Sequence, residues 1–321
     1  MTAVKSLDAQ TRGTMPIVPT PFRSDGTLLL DDIRRLVDYY EKCGADGLTI
    51  LGVFGEAQKL SAAETESCIK EFLRCAAGRL PVIVGVTNPS LARSVELGRL
   101  ARSLGAAGVM LQPMAGLRTE DAISGFFDRY VSDTAGAVPV CVMDDPASSG
   151  VQIPLSAWCR VSRLEPVFML KHEPVPGLQD LSRILRAQAN GMARPVSVFT
   201  SSNAMWLPQE LERGASGTMV GVAYSDAVAE ICRLFWLGEK ERACDLHDAL
   251  SPLIRHEKQG AFGLAVRKEI LRRRGALTSN ALRYPGVSLD EYDLKEIDAL
   301  IIRLAKRLAQ LSVSLPLPVA A

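Results

Sequence analysis

The sequence predicts an α/β fold, a (β/α)8 TIM barrel with additional C-terminal helices. Three observations lead there. Short apolar, β-branched runs recur eight times along the 321 residues. Segments with the apolar spacing of helices lie between them. The runs are continuously apolar rather than alternating, as suits parallel strands covered on both faces. With 47% hydrophobic residues the chain can bury one large barrel core.

Taken in order, residues 1–12 form an N-terminal extension. The strand runs fall at 15–20, 47–51, 81–86, 109–112, 138–143, 167–171, 196–200 and 218–221. The first helix is expected over 31–43, with Ile33, Leu36, Val37 and Tyr40 on one face. The second, over 61–76, opens with Ser61-Ala-Ala-Glu64, the spacing of a capping box. A doubly wound open sheet is the rival fold, but no GxGxxG turn follows the first strand. The barrel is expected over 13–237. Further helical patterns at 225–236, 239–257, 262–274 and 289–311 exceed what a minimal barrel needs, so 238–312 is read as a C-terminal helical subdomain. The tail 313–321, with two prolines and no periodicity, is expected to be disordered.

Composition narrows the function. Lys and Arg total 37 against 36 for Asp and Glu, so no excess of positive charge favours nucleic acid or an anionic membrane. Seven cysteines, odd in number and without a CxxC pair, read as reduced thiols of a cytoplasmic protein. The first residues lack the apolar core of a signal peptide, and no apolar run approaches the ~20 residues of a membrane span. His172, His247 and His256 form neither HxH nor HExxH, so no metal is expected, and no motif calls for a cofactor. The expected partner is a small molecule.

In such barrels the chemistry sits at the C-terminal ends of the strands. Four polar ends follow: Leu51 to Glu56, Met143 to Pro146, Leu170 to Glu173, and Thr200 to Asn203. Lys171 directly follows the apolar run 167–170 and is expected to point into the barrel mouth, where desolvation favours the neutral amine that a nucleophilic lysine requires. A surface lysine that merely follows a strand is the bland alternative. Asp144 and Asp145 either position hydroxyls or cap a helix, since Asp-Asp-Pro is also a turn signal. Ser201, Ser202 and Asn203 either touch the distal end of a ligand or serve as an N-cap. The glycines of 214–221 suit tight turns. Arg118 either meets a second carboxylate or lies exposed. His256 and Glu257 suggest packing or a subunit contact.

Several motifs together resemble the dihydrodipicolinate synthase and N-acetylneuraminate lyase superfamily: GTMPIVPTPFRSDGTLLLDDI at 13–33, GVFGE at 52–56 followed by LSAAE, PVIVGV, LGAAGVMLQP, the strand-five proline and the strand-six lysine. The resemblance spans about residues 13–311. It implies that Lys171 forms a Schiff base with a 2-keto acid, that Gly52, Val53, Phe54 and Gly55 bind the substrate carboxylate, and that subunits assemble as a homotetramer, a dimer of dimers. The departures are equally informative. Val53 and Phe54 stand where the family carries two threonines, and Met143 where it carries a tyrosine. The second tyrosine of the family's relay falls near Met114 or Ala115, and no tyrosine occurs between Tyr130 and Tyr224. Retro-aldol cleavage needs a base at the hydroxyl beside the breaking bond, which these losses remove. Dehydration needs instead a base at C3 and an acid at the C4 hydroxyl. Glu173 is suited to it if the strand persists far enough to keep it on the face of Lys171, and a salt-bridged loop carboxylate is the bland alternative.

The 2-keto-3-deoxy-L-arabonate dehydratase-like branch is similar in detail: Phe54 in the second threonine place, DxPAS at 144–148, KxE at 171–173 and IxHEx at 254–258. The resemblance therefore implies a Schiff-base-forming lyase that dehydrates a 2-keto-3-deoxy sugar acid. Lys171 and Glu173 are its expected catalytic residues. The expected substrate-binding set is Gly52, Val53, Phe54, Gly55, Met143, Asp144, Ser201, Ser202, Asn203 and Gly221. The alternatives are a pyruvate-dependent aldolase and a catalytically inactive keto-acid-binding paralogue.

Overall fold

The computed structural model describes residues 7–315. Strand and helix alternate from β1 (Gly13–Thr14) and α1 (Asp32–Lys42) through β2 (Leu48–Ile50), α2 (Ala62–Ala76), β3 (Val82–Gly85), α3 (Leu91–Ser103), β4 (Gly108–Leu111) and α4 (Glu120–Asp133). They continue with β5 (Val140–Asp144), the short α5 (Pro146–Ser149), α6 (Leu155–Val161), β6 (Val167–His172), α7 (Leu178–Ala189), β7 (Ser197–Thr200), α8 (Leu207–Glu212), β8 (Gly217–Thr218) and α9 (Ser225–Trp236). Helices α10 (Lys240–His256), α11 (Gly260–Arg273) and α12 (Glu291–Gln310) follow.

All strand pairs are parallel, in the order β1-β8-β7-β6-β5-β4-β3-β2. The sheet closes where Ile17 bridges Thr49: Val18 N–H donates to the Thr49 carbonyl, and Thr49 N–H to that of Pro16. This is the (β/α)8 barrel the sequence predicts, with its extra C-terminal helices. The regular parts of β1 and β8 lie just before the predicted runs. Met15 and Ile17 N–H continue the ladder to the Thr218 and Val220 carbonyls, while Pro16 between them has no N–H to give.

Local signals carry the helices. Ser61 accepts from Glu64 N–H and Glu64 accepts from Ser61 N–H, the expected capping box of α2. In α1 the predicted face, Ile33, Leu36, Val37 and Tyr40, is buried. Among the described residues no helix is long and apolar enough to cross a membrane. The N-terminal residues close one end of the barrel, where Ser197 Oγ donates to the Asp8 and Thr11 carbonyls. At the other end of the chain, Val313 N–H donates to the Leu308 carbonyl and Leu315 packs on the core, while 316–321 of the expected tail lie outside the described residues.

The barrel interior is filled by Met15, Ile17, Ile83, Met110, Cys141, Met143, Phe168, Met169, Phe199 and Met219. Half of these are methionines, whose unbranched, polarisable side chains adapt to an irregular space. One irregularity governs the site. Val140 pairs with Val167, but the next residue, Cys141, pairs with Met169, so Phe168 is an extra residue in β6. Strand side chains alternate between faces, and one inserted residue reverses the alternation beyond it. Without that bulge Met169 and Lys171 would face the helices; with it they face the barrel interior. Room for the extra ring comes from β4, where a Cβ on Gly108 would lie 2.9 Å from Phe168 Cε1. Gly108→Val should therefore lower stability by roughly 1–3 kcal/mol, read from urea unfolding, and should cost less in a Phe168→Ala background than in the wild type. An unchanged midpoint in Gly108→Val would contradict this packing.

Candidate active site

At the C-terminal ends of the strands lies a cavity of about 450 Å³. Met110, Met143 and Lys171 form its floor, Val53 and Phe54 one wall, and Lys258, Leu282 and Pro285 come from the C-terminal part of the chain. A second hollow of about 620 Å³ adjoins it and shares Val53, Gln58, Met110, Met143 and Ser148.

Lys171 is 1% exposed, and its Nζ donates to Glu173 Oε2. Glu173 lies just past the end of β6, but its N–H still donates to the Asp144 carbonyl at 2.9 Å. The ladder thus persists far enough to keep both side chains on one face. Glu173 Oε1 accepts from Ser202 N–H at 3.2 Å and faces Lys258 Nζ at 3.8 Å. Burial pushes the Glu173 carboxyl upward, but the charges of Lys171 and Lys258, with the Lys171 hydrogen bond, outweigh it and hold the group below the usual glutamate range. An amine and a carboxylate in contact, at the base of a largely apolar cavity, have the chemistry to act as a nucleophile and its proton acceptor.

The strand-two turn leaves two of its backbone N–H groups unused. Gly52 is extended, Val53 to Gly55 form one 3-10 turn, and Glu56 is left-handed at φ 53°. The turn uses the N–H of Gly55 for the Gly52 carbonyl and that of Glu56 for the Val53 carbonyl. The N–H groups of Val53 and Phe54 have no acceptor among the described residues, as expected of the opening residues of a helical turn. Beneath the turn, the Arg267 guanidinium lies 4.1 Å from the Phe54 ring centroid. Buried Glu56 accepts from Lys268 at 2.6 Å and Lys59 at 2.8 Å. Burial lowers the Lys268 ammonium to about 8, against the pull of Glu56.

Met143 sits beside Lys171 in the β5–β6 register and lines the cavity, presenting a thioether and no hydroxyl. Other expected positions lie elsewhere. Asp144 alternates to the outer side of β5, where Oδ1 accepts from Ile153 N–H at 3.1 Å and burial pushes the carboxyl up to about 7. Its neighbour Asp145 caps α5 through Ala147 N–H and reaches the cavity wall. Ser201, Ser202 and Asn203 do not line the cavity and cap no helix through their side chains. Ser202, Asn203 and Ala204 are all left-handed, with φ 48°, 58° and 62°, which turns the loop inward. Ser201 Oγ then donates to the Met219 carbonyl, while Asn203 bridges the Ile254 carbonyl and Arg267 Nη2. Gly221 also stands back from the cavity, since a Cβ there would lie 2.4 Å from Arg267 Nη1. Gly52 lines the adjoining hollow, and Gly55 gives its carbonyl to Thr20. Arg118 is exposed and away from the cavity. Glu257 is fully buried, receiving Arg267 Nε and Ala223 N–H.

Sequence reading did not single out Lys258, Lys59, Gln58, Leu282 or Pro285 as cavity residues. Lys258 ends the IxHEx motif, so a signal existed, but helical periodicity could not show that the chain leaves α10 there and turns over the barrel mouth.

Residues 10–304 match the Dihydrodipicolinate synthetase family. Over 297 residues the chain is 32% identical to the L-2-keto-3-deoxyarabonate dehydratase of Azospirillum brasilense, covering 91% of this chain and 94% of that protein. The crystal structure of a dihydrodipicolinate synthase from Rhodopseudomonas palustris is similar with a TM-score of 0.90 at 38% identity, covering 93% of this chain and 99% of that one. The Ruminococcus gnavus sialic acid aldolase shares the fold, with a TM-score of 0.84 at 19% identity over 94% of this chain and 99% of that one. With the family matched across nearly the whole barrel and the helices that follow it, the chain belongs to the Dihydrodipicolinate synthetase family.

Proposed function

We propose that the protein is a Schiff-base-forming hydro-lyase that removes water from a 2-keto-3-deoxy sugar acid. The observation that carries this reading is the contact between Lys171 and Glu173 in a cavity whose neighbouring strand offers Met143 rather than a hydroxyl. The likeness to a protein named as a 2-keto-3-deoxyarabonate dehydratase supports it.

Glu173 takes a proton from Lys171, and the free amine adds to the C2 carbonyl. The proton held by Glu173 leaves with the adduct's hydroxyl as water, which gives an iminium that acidifies the C3 hydrogens and returns Glu173 to its carboxylate form. The N–H groups of Val53 and Phe54 receive the C1 carboxylate, while Glu173 removes one C3 proton to form the enamine. Return of the enamine electrons breaks the C4–O bond, and the proton held by Glu173 leaves with the hydroxyl as water. Hydrolysis of the remaining adduct restores Lys171, for a net loss of one water. An aldol cleavage would require a base on the C4 hydroxyl, and Met143 cannot supply one. The 38% identity to a chain named as a dihydrodipicolinate synthase keeps the carbon–carbon reaction as the second reading.

Product analysis by mass spectrometry after incubation with a 2-keto-3-deoxypentonate separates the two. A keto acid lighter by one water is expected, whereas release of pyruvate would make the protein an aldolase and neither product would favour a binding protein. Glu173→Gln should reduce kcat by roughly 10²–10⁴-fold, the usual worth of general acid–base catalysis; wild-type turnover in this variant would remove Glu173 from the mechanism. Because the Glu173 carboxyl is depressed in the free protein, it stays ionised as pH falls through the ordinary glutamate range. The acidic limb of kcat/KM is therefore expected below that range, and a limb near neutrality would contradict the role given to this carboxylate.

A further inference from the structure

Building on that reading, we infer that Lys258 is a positioning residue, supplied by the C-terminal helices, that gives Glu173 a counter-charge persisting when Lys171 gives up its own. In the resting protein the Glu173 carboxylate has two cations, Lys171 on Oε2 and Lys258 at 3.8 Å from Oε1. Only one of them survives the reaction unchanged. The nitrogen of Lys171 becomes part of the iminium and then of a neutral enamine, so its charge moves into the substrate and vanishes. The Lys258 ammonium takes part in no covalent step.

The geometry that puts Lys258 there is built rather than accidental. Asn203 donates to the Ile254 carbonyl, tying the last turn of α10 to the loop after β7. Ser202 of that loop donates its N–H to the same Oε1 that Lys258 faces. Arg267 reinforces the join by bonding both Asn203 and Glu257, next to Lys258 in the chain. The two segments that reach Glu173 Oε1 are thus held as one unit. Lys258 is partly exposed, lines the cavity, and has no closer carboxylate than Glu173 among the described residues.

The groups that act on Glu173 can be named by element. From its own strand come Lys171 and, at longer range, His172; β5 offers only the Asp144 carbonyl, to Glu173 N–H. The loop after β7 gives Ser202 N–H, while the Ser201 hydroxyl gives its proton to the Met219 carbonyl. From α8 comes Glu210, a like charge that burial pushes up to about 7 and that feels both Glu173 and Lys258. Lys258 is the cation among them that forms no bond to the substrate. Its removal should make the carboxylate easier to protonate once Lys171 carries substrate, and leave the geometry of Lys171 intact.

The test is the rate at which solvent deuterium enters the methyl group of pyruvate, followed by proton NMR across pH at saturating pyruvate. This exchange needs the Schiff base and the Glu173 base but no dehydration. Wild-type protein should exchange, with an acidic limb. In Lys258→Met that limb should move to higher pH by about one unit, the low end of the effect of a nearby opposite charge because Lys258 is partly exposed. The high-pH plateau should not fall, since a more basic carboxylate is no weaker a base, and Lys258→Arg should restore the wild-type limb. Superimposable profiles for wild type and Lys258→Met would overturn the role of Lys258 alone. Absence of exchange in the wild type would overturn the Schiff-base reading and this inference with it.

Discussion

A lysine ammonium and a glutamate carboxylate in contact inside a barrel form a costly arrangement unless each has the other. Removing two charges from water carries a penalty of several kcal/mol per ion, offset only when the geometry is good and the remaining lone pairs are satisfied. Lys171 and Glu173 meet that condition because they lie two residues apart on one face of one strand, with Ser202 N–H and Lys258 completing the carboxylate. Much of the surrounding architecture follows from this requirement. The extra residue Phe168 turns Lys171 inward, Gly108 makes room for Phe168, and the ladder contact to Asp144 carries the phase on to Glu173.

The C-terminal helices tie the mouth of the barrel together through a second set of buried charges. Arg267 and Lys268 are successive residues of α11 and so point about 100° apart on the helix. One stacks on Phe54 and bonds Asn203 and Glu257; the other bonds Glu56 at the end of the strand-two turn. The turn after β2 and the loop after β7 are thereby held by one helix. Val53 and Phe54 bring no hydroxyl to the cavity, and the Phe54 ring has the Arg267 cation beneath it, so the turn is held through packing rather than by its own side-chain hydrogen bonds. What the turn leaves without an acceptor among the described residues is the pair of backbone N–H groups of Val53 and Phe54.

The barrel was legible in the sequence because its signals are local. Eight apolar runs announce buried strands, and Ser61 and Glu64 announce the start of α2. Lys171 was legible from the apolar run before it. The facing of Lys171 and Glu173 was not, because the bulge at Phe168 leaves no compositional trace: it exists only as a register shift between two strands. Asp144 and Asp145 look alike in sequence and part company in space, as alternation sends one to the helices and the other to the cap of α5. Ser201 to Asn203 read as ligand contacts or a cap, but left-handed backbone at Ser202, Asn203 and Ala204 goes with side chains of Ser201 and Asn203 turned to tertiary partners that no local pattern reveals. Lys258 was hidden in a helical motif because its importance depends on where α10 ends.

The central claim is that the buried Lys171 amine, relieved of its proton by Glu173, attacks a 2-keto acid. It is tested most directly by intact-protein mass spectrometry after borohydride reduction in the presence of pyruvate, with peptide mapping of any adduct. The account predicts a single reduced adduct located on Lys171 and missing from Lys171→Ala. An unmodified wild-type protein, or an adduct that persists in Lys171→Ala, would contradict it.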